Sequence, residues 1–254
     1  MILTVDVGNT NIVLGVYKEE KLAFVSRLST NVHKTDSEYA TKIRSILSLN
    51  DVDSHSLKGA IISSVVPNLN HVLLRAIKMV YGVDALLVGP GVKTGINLQV
   101  DNPSQVGSDL ICGCVGAHQK YEGKVLIIDM GTATKFTIVD ENGVFRGVSI
   151  APGVELSLKA LTGGTAQLPG ISLEAPSKVI AKNTVECMRS GIVFGSASMI
   201  DGMIDRIEEE FGEKLTLVAT GGLSETIIPN CRHEISIDND LILDGLYSIY
   251  VKNK

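Results

Sequence analysis

The stretch LTVDVGNTNIVLGVY, residues 3–17, runs as an apolar strand to an aspartate and a glycine, turns through small polar residues and returns as a second strand. A second stretch, LIIDMGTATKFTIVD at residues 126–140, follows the same plan. The two aspartates, Asp6 and Asp129, lie about half the chain apart. The pattern indicates an internal duplication, in which each copy presents an Asp-x-Gly turn between two strands.

The residues beyond each turn extend this repeat. A third strand follows a polar turn in both halves, KEEK at 18–21 in the first and ENG at 141–143 in the second. Helical patterns come next, and this mixture of strands and helices is typical of α/β proteins. We therefore expect two similar lobes that face each other across a cleft, with the boundary in QKYEGK, residues 119–124.

Three helical patterns carry specific expectations. DSEYATKIRSILSL predicts a helix that Asp36 or Ser37 caps. A long helical stretch at 186–212 contains glycines, which are easier to explain if another element or a ligand packs close to that backbone; they are Gly191, Gly195 and Gly202. DLILDGLYSIYVKN predicts a terminal helix, which we expect to belong to the second lobe.

The composition excludes several classes of function. The 254 residues are 44% apolar and 20% charged, as in an ordinary globular protein. With a net charge of −5, no Lys/Arg cluster and no Trp, nucleic-acid binding has little support. No apolar run is long enough for a membrane span, and no signal peptide is visible. We expect a cytoplasmic protein whose cysteines are buried thiols rather than disulfides or metal ligands, and whose histidines are not ligands.

The two Asp-x-Gly turns carry the residue types that bind a nucleotide. Gly8 lets the backbone approach a ligand, and the backbone N–H groups of Asn9, Thr10 and Asn11 can form one concavity for phosphate oxygens. Asp6, at the strand end, can hold Mg²⁺ directly or through water. The second turn offers the corresponding residues, which are Asp129, Gly131, Thr132 and Thr134. A third glycine turn, ATGGLS at 219–224, could lie along the sugar and base.

A phosphoryl acceptor needs a base near the γ-phosphate. Within NPSQVGSDLICGCVGA, residues 102–117, Asp109 stands at the start of an apolar helix. A carboxylate there is stabilised by the helix N-terminus and can accept the proton of an attacking hydroxyl. The local pattern equally fits a carboxylate that only stabilises the start of the helix.

Taken together, these residues resemble the type III pantothenate kinases over essentially the whole chain. The motifs that carry the resemblance are, in order, DVGNTNIVLGVY, SSVVP, NPSQVGSDL, IDMGTATKFTIVD, SIAPGV, NTVECMRSGIVFG, ATGGLS and LILDGLYSIY. The resemblance implies an α/β fold of two duplicated ribonuclease-H-like lobes, residues 1–119 and 120–254, with a nucleotide cleft between them. It also implies ATP-dependent phosphorylation of pantothenate, the first step toward coenzyme A, by a homodimer that uses Mg²⁺ and K⁺ or NH4⁺.

The same resemblance implies roles for individual residues. Asp109 would be the general base, and Asp129 would be a ligand of the monovalent cation. The ATP-binding residues would be Asp6, Val7, Gly8, Asn9, Thr10, Asn11, Ile12, Val13 and Thr132. The residues that contact pantothenate would be Gly107, Ser108, Asp109, Leu110 and Thr184.

Two positions depart from the family's pattern. The family usually has Arg after the base aspartate and Tyr just before the Asn-Pro pair, whereas this chain has Leu110 and Val100. Both departures fall in the part of the site that would bind the phosphoryl acceptor. An Arg can donate two hydrogen bonds to a carboxylate, whereas a Leu can donate none. Arg189 is one candidate for the missing cation. Two alternatives therefore remain, namely a kinase with another acceptor and a nucleotide-binding regulatory protein without catalysis.

Overall fold

The structure is a computed structural model that describes residues 1–53, 55–165 and 167–254. In these residues the chain forms two compact units. Unit 1 contains Met1–Gln119 and Asp240–Lys254, and unit 2 contains Lys120–Asn239.

Unit 1 is built on a mixed sheet with the strand order β3-β2-β1-β4-β5. Strands β1, β2 and β3 are antiparallel, and β4 and β5 join them in parallel. The strands of unit 1 are β1 (Ile2–Val7), β2 (Asn11–Lys18), β3 (Lys21–Ser29), β4 (Gly59–Ser64), β5 (Ala85–Leu87) and the short β6 (Asn97–Leu98). Its helices are α1 (Asp36–Leu49), α2 (Pro67–Tyr81), a 3₁₀ turn (Pro103–Gln105), α3 (Ser108–Lys120) and α7 (Leu241–Lys252).

Unit 2 repeats this plan, with the strand order β11-β10-β7-β8-β9. Strands β7, β8 and β9 are antiparallel, and β10 and β11 are parallel to β7. The strands of unit 2 are β7 (Val125–Met130), β8 (Ala133–Val139), β9 (Val144–Pro152), β10 (Thr216–Thr220) and β11 (Ser236–Ile237). Its helices are α4 (Val154–Gly163), α5 (Thr184–Phe211), α6 (Ser224–Ile227) and a 3₁₀ turn (Ile228–Asn230).

The turns between strands have the chemistry that the sequence indicates. In the KEEK turn, Glu19 and Glu20 both have positive φ, as a tight hairpin requires. In the corresponding turn of unit 2, the Asp140 carboxylate accepts the backbone N–H groups of Asn142 and Val144, and Gly143 has positive φ. These local signals explain why the strands fall where the sequence predicts them.

The last helix belongs to unit 1, whereas the expected lobes of 1–119 and 120–254 placed it in the second lobe. Two close backbone crossings hold α7 against α3. A Cβ atom on Gly245 would lie 1.9 Å from the backbone oxygen of Cys112, and one on Gly116 would lie 2.2 Å from that of Leu241. Only glycine permits this approach, and the apolar residues of α7 complete one of the unit 1 cores, with Leu243, Leu246 and Ile249 buried.

Two helix details differ from the expectations. Helix α1 is capped by Thr35, not by Asp36 or Ser37, because the Thr35 side chain and Glu38 form a reciprocal capping box. In α5, apart from the neighbouring backbone of the helix itself, no described heavy atom lies within 4 Å of the Cβ position at Gly191 or Gly195, and at Gly202 the nearest is the guanidinium of Arg206 on the same helix, at 3.4 Å. The close packing expected around these glycines is therefore not found within the described chain.

The described helices include none with the length and apolar character that crossing a membrane requires. The cysteines are free thiols, of which Cys112 and Cys114 are buried, Cys231 is half-buried and Cys187 is exposed. The prediction of buried thiols is therefore correct for Cys112 and Cys114, and wrong for Cys187.

Candidate functional site

The β1–β2 turn of unit 1 is held by backbone hydrogen bonds that leave its polar side chains at the surface. The Gly8 N–H donates to the Asn11 oxygen at 3.0 Å. From the end of β3, the Thr30 hydroxyl donates to the Gly8 oxygen at 2.6 Å and the Thr30 N–H donates to the Thr10 oxygen at 2.9 Å. Asn9, Thr10 and Asn11 are exposed. The turn thus has a fixed backbone with polar groups directed outward, as a phosphate-binding loop requires.

Asp6 lies next to this turn, at the end of β1. Its strand neighbour in the parallel β1–β4 pair is Ser63, which is fully buried. The Ser63 and Ser108 hydroxyls are 3.0 Å apart, and the Ser64 N–H donates to the Ser108 oxygen at 2.9 Å. These bonds fix the first residue of α3 to the end of β4.

Asp109 is therefore held at the same end of the sheet as Asp6. The buried Cys112 thiol lies about one turn further along α3, where the charges of both carboxylates act on it. Burial raises the pKa of Cys112 well above its ordinary value, and the charges of Asp6 and Asp109 raise it further, against a hydrogen bond with Ser63 that lowers it. Two carboxylates that the sequence predicted separately are thus brought together by the fold of unit 1.

The Asp109 side chain has a defined local position. Its Oδ1 accepts the N–H of Leu110 at 2.9 Å. A Cβ atom on Gly107 would lie 2.5 Å from the same oxygen, so a side chain at position 107 would displace the carboxylate. Gly107 and Leu110, two of the predicted pantothenate contacts, therefore lie directly beside the carboxylate of the predicted base. The space that this carboxylate occupies is also a steric reason for glycine at position 107.

Two glycines pack closely against the β7–β8 turn of unit 2. A Cβ atom on Gly153 would lie 2.3 Å from the Thr132 oxygen, and one on Gly221 would lie 2.6 Å from the Met130 oxygen. Gly131 and Thr132 are exposed at the tip, and Asp129 stands at the strand end before them. The third glycine turn thus packs against the end of β7, two residues before the predicted ATP contact Thr132.

The sequence interpretation missed Lys135. Its ammonium forms an ion pair with the Asp129 carboxylate, with 2.6 Å between Nζ and Oδ2. The two residues are directly opposite in the antiparallel β7–β8 pair, so their side chains project from the same face of the sheet. Counting outward from the turn in DMGTATK would have placed them opposite each other.

This ion pair bears on the monovalent cation that the resemblance implies at Asp129. A cation about 4 Å from the ammonium would be repelled by about 4 kcal/mol at an effective dielectric constant of about 20. The ammonium also uses a carboxylate oxygen that the cation would need as a ligand. The residues present therefore do not fit K⁺ or NH4⁺ at Asp129.

Two residues that the sequence analysis proposed for binding the phosphoryl acceptor, Thr184 and Arg189, lie on α5 in unit 2. Thr184 is the exposed first residue of α5, directly after the capping residue Asn183. The Arg189 guanidinium forms ion pairs with Glu174 and Glu186 and also donates to Ser172. Arg189 is therefore already held by two carboxylates, which makes it a weaker candidate for binding a third from the substrate.

One histidine has an arrangement that a metal could use. Asp205, Glu208 and His233 offer ligand atoms within 4.8 Å of one another in unit 2. However, Lys214 contacts Glu208 at 2.5 Å, and the Leu215 N–H donates to the same carboxylate. This cluster is accounted for by an ion-pair network at the end of α5.

Comparisons with known proteins give the family. A model of the type III pantothenate kinase family matches residues 2–206. A type III pantothenate kinase of Citrifermentans bemidjiense is 41% identical, with all of both chains covered. One from Finegoldia magna is 42% identical over all of this chain and 98% of that one.

The chain belongs to the type III pantothenate kinase family. It is an enzyme, a kinase, and the resemblance noted in the sequence is confirmed. Among solved structures, a candidate 2-dehydro-3-deoxygalactonokinase from Sinorhizobium meliloti matches with a TM-score of 0.57 at 11% identity, covering 99% of this chain and 96% of that one. Structures of this kind have the actin-like ATPase and sugar-kinase fold, so the predicted α/β class with duplicated ribonuclease-H-like lobes is also confirmed.

Proposed function

We propose that this kinase transfers the γ-phosphoryl group of ATP to the primary hydroxyl of pantothenate, which forms 4'-phosphopantothenate in the first step of coenzyme A biosynthesis. Membership of the family supports the acceptor. The observation that carries the mechanism is the position of Asp109, which the serine hydrogen bonds of β4 and α3 hold at the same sheet end as Asp6.

In this mechanism Asp109 is the general base. Its carboxylate orients the pantothenate hydroxyl and accepts the proton as the oxygen attacks the phosphorus. Gly107 leaves the space that the carboxylate occupies, and Ser108, Leu110 and Thr184 contact pantothenate. The helix dipole at this N-terminus favours the negative charge of a carboxylate in the first turn.

The turns hold the nucleotide. We propose that ATP binds along Asp6 to Val13, with its phosphates on the backbone N–H groups of Asn9, Thr10 and Asn11 at the tip of the β1–β2 turn. We also propose that Thr132 contacts ATP from the β7–β8 turn. The residues beside the first turn fit Mg²⁺, because Asp6 and the exposed Asn and Thr side chains supply the oxygen atoms that this ion prefers. When bound, Mg²⁺ neutralises charge that develops on the β- and γ-phosphate oxygens.

We also propose, from the family resemblance, a cytoplasmic homodimer. The same resemblance supports Asp129 as a ligand of K⁺ or NH4⁺, but Lys135 competes for that carboxylate. No step of the mechanism is therefore assigned to a monovalent cation.

ADP release by the purified protein tests the acceptor assignment. The assay contains Mg²⁺ATP with pantothenate, with other small hydroxyl compounds, or with water alone. We expect release that depends on pantothenate and follows its concentration. ADP release with a different acceptor instead would overturn the assignment of pantothenate as the acceptor. ATP binding without ADP release in any mixture would support a regulatory protein.

A further inference from the structure

The ion pair between Asp129 and Lys135 is enclosed rather than superficial. The Lys135 and Asp129 side chains are only 16% and 14% exposed, and 2.6 Å separates Nζ from Oδ2. Most other lysine–carboxylate pairs of the described chain keep one partner largely in solvent; in Lys78–Asp84, for example, the side chains are 62% and 79% exposed. A pair this shielded retains most of its electrostatic attraction, because water screens it little.

The pair also lies at the turn rather than deeper in the sheet. Asp129 is the penultimate residue of β7, and a Cβ atom on Gly131 would be 3.7 Å from the other carboxylate oxygen, Oδ1. One oxygen of Asp129 thus faces the turn while the other accepts Lys135. The positive charge of Lys135 is therefore fixed beside the segment that carries Thr132.

The duplicated turn of unit 1 provides an internal comparison. There the residue opposite Asp6 in the β1–β2 pair is Val13, which carries no charge. The two halves share the aspartate and the hairpin but differ at the cross-strand position. The lysine is therefore not something that the shared hairpin requires.

The chemistry of the lysine matches that of the monovalent cation that the family resemblance implies. A primary ammonium carries one positive charge and donates hydrogen bonds, as NH4⁺ does, but it is attached to the chain. We infer that the Lys135 ammonium serves as a built-in monovalent cation beside the β7–β8 turn, so that this kinase requires neither K⁺ nor NH4⁺. This inference rests on the proposed function, in which that turn contacts ATP.

The wild-type enzyme gives the first test. Pantothenate-dependent ADP release is measured in a tetramethylammonium buffer and again with saturating KCl or NH4Cl at equal ionic strength. We expect rates within about twofold of each other, because a site with a fixed charge gains little from another ion. Strong activation by K⁺ or NH4⁺ would overturn the inference, whereas no ADP release in any salt would instead overturn the proposed function.

Lys135→Ala gives the second test, with Lys78→Ala as the matched control for an exposed ion pair. In tetramethylammonium, we expect Lys135→Ala to lose on the order of 10²-fold in turnover, the scale for removing one charge-stabilising group. Addition of K⁺ or NH4⁺ should then raise the turnover of Lys135→Ala at least tenfold, since a free ion can take the place of the ammonium beside the Asp129 carboxylate. The control should match wild type in every salt.

A readout without ATP separates a charge-supplying role from a purely structural one. Thermal unfolding is compared in KCl and in tetramethylammonium chloride for wild type and Lys135→Ala. We expect a K⁺-specific rise in Tm only for the variant, because only the variant can bind the ion. A folded variant whose Tm and turnover both ignore K⁺ and NH4⁺ would show that Lys135 only stabilises the sheet, and would refute the inference.

Discussion

At the scale of single residues, Asp109 is the side chain on which the mechanism depends. Asp109→Asn keeps the shape and the local hydrogen bond from Leu110 but cannot accept a proton at neutral pH. We expect turnover to fall by about 10²-fold or more while ATP still binds, the scale for loss of a general base. Initial rates and a nucleotide-binding titration measure the two effects.

Asp36→Asn is the matched control for that variant. Asp36 also stands in the first turn of a helix and accepts the N–H of the next residue, Ser37, at 2.8 Å. If both variants lost activity to the same extent, the loss at Asp109 would reflect helix stability rather than proton transfer.

Gly107 offers an independent test of where that carboxylate lies. The Cβ atom of Gly107→Ala would displace Asp109 Oδ1, which it would otherwise approach to 2.5 Å. We expect turnover to fall by about tenfold or more with little change in Tm, since small displacements of a reacting group are costly to the rate. Gly89→Ala, which has open space around its Cβ position, should leave the rate unchanged.

The thiols differ in a way that alkylation can detect. Burial raises the pKa of Cys231 to about 12 and raises the pKa values of Cys112 and Cys114 as well. At pH 8 these three thiols are therefore almost entirely protonated, and Cys112 and Cys114 are also buried, whereas Cys187 is exposed. We expect iodoacetamide to modify Cys187 in the folded protein and the other three only after unfolding, with peptide mass spectrometry as the readout.

At the scale of elements, the crossing of α3 and α7 is the most demanding contact. Gly245→Ala would place a methyl group against the backbone of Cys112, which cannot move without shifting the helix. We expect a loss of about 1–3 kcal/mol or more, or about 2–4 °C in Tm for each kcal/mol. Gly191→Ala is the control, because its open position in α5 should raise stability by up to about 1 kcal/mol. Equal changes in Tm for the two variants would contradict the close backbone contact between α3 and α7.

The sequence predicted most elements because their signals are local. Alternating apolar residues and turn residues identify both hairpins. Thr35 was missed as a cap because Asp36 and Ser37 have equal capping propensity, and only the backbone decides which residue precedes the first turn. The pair of Lys135 with Asp129 was missed because the hairpin register was not followed across the turn.

At the scale of the whole molecule, contacts between distant parts of the chain could not be predicted from sequence patterns. The tie between Ser63 and Ser108 links residues that have no common motif. In the same way, the sequence of α7 is that of an ordinary terminal helix, and only the close contact of its Gly245 with α3 shows which unit it joins. The approach of Asp6 to Asp109 is thus a property of the folded unit 1.

The position of α7 predicts the effect of truncation. Ending the chain after Asn239 would remove four buried side chains from unit 1, Leu241, Leu243, Leu246 and Ile249. Each contributes about 1.5–3 kcal/mol, and together they approach the total stability of a typical domain, about 5–15 kcal/mol. We expect this variant not to fold, as judged by circular dichroism, whereas deletion of Lys254 alone should be tolerated. A folded truncated chain would show that α7 is not part of the unit 1 core.

The most direct measurement of the central claim is identification of the product. Wild-type protein and Asp109→Asn are incubated with Mg²⁺ATP and pantothenate, and the mixtures are analysed by mass spectrometry. For wild type, we expect 4'-phosphopantothenate in an amount equal to the ADP formed, and for the variant we expect at most about a hundredth of that rate. ADP without phosphorylated pantothenate, or equal product from both proteins, would contradict it.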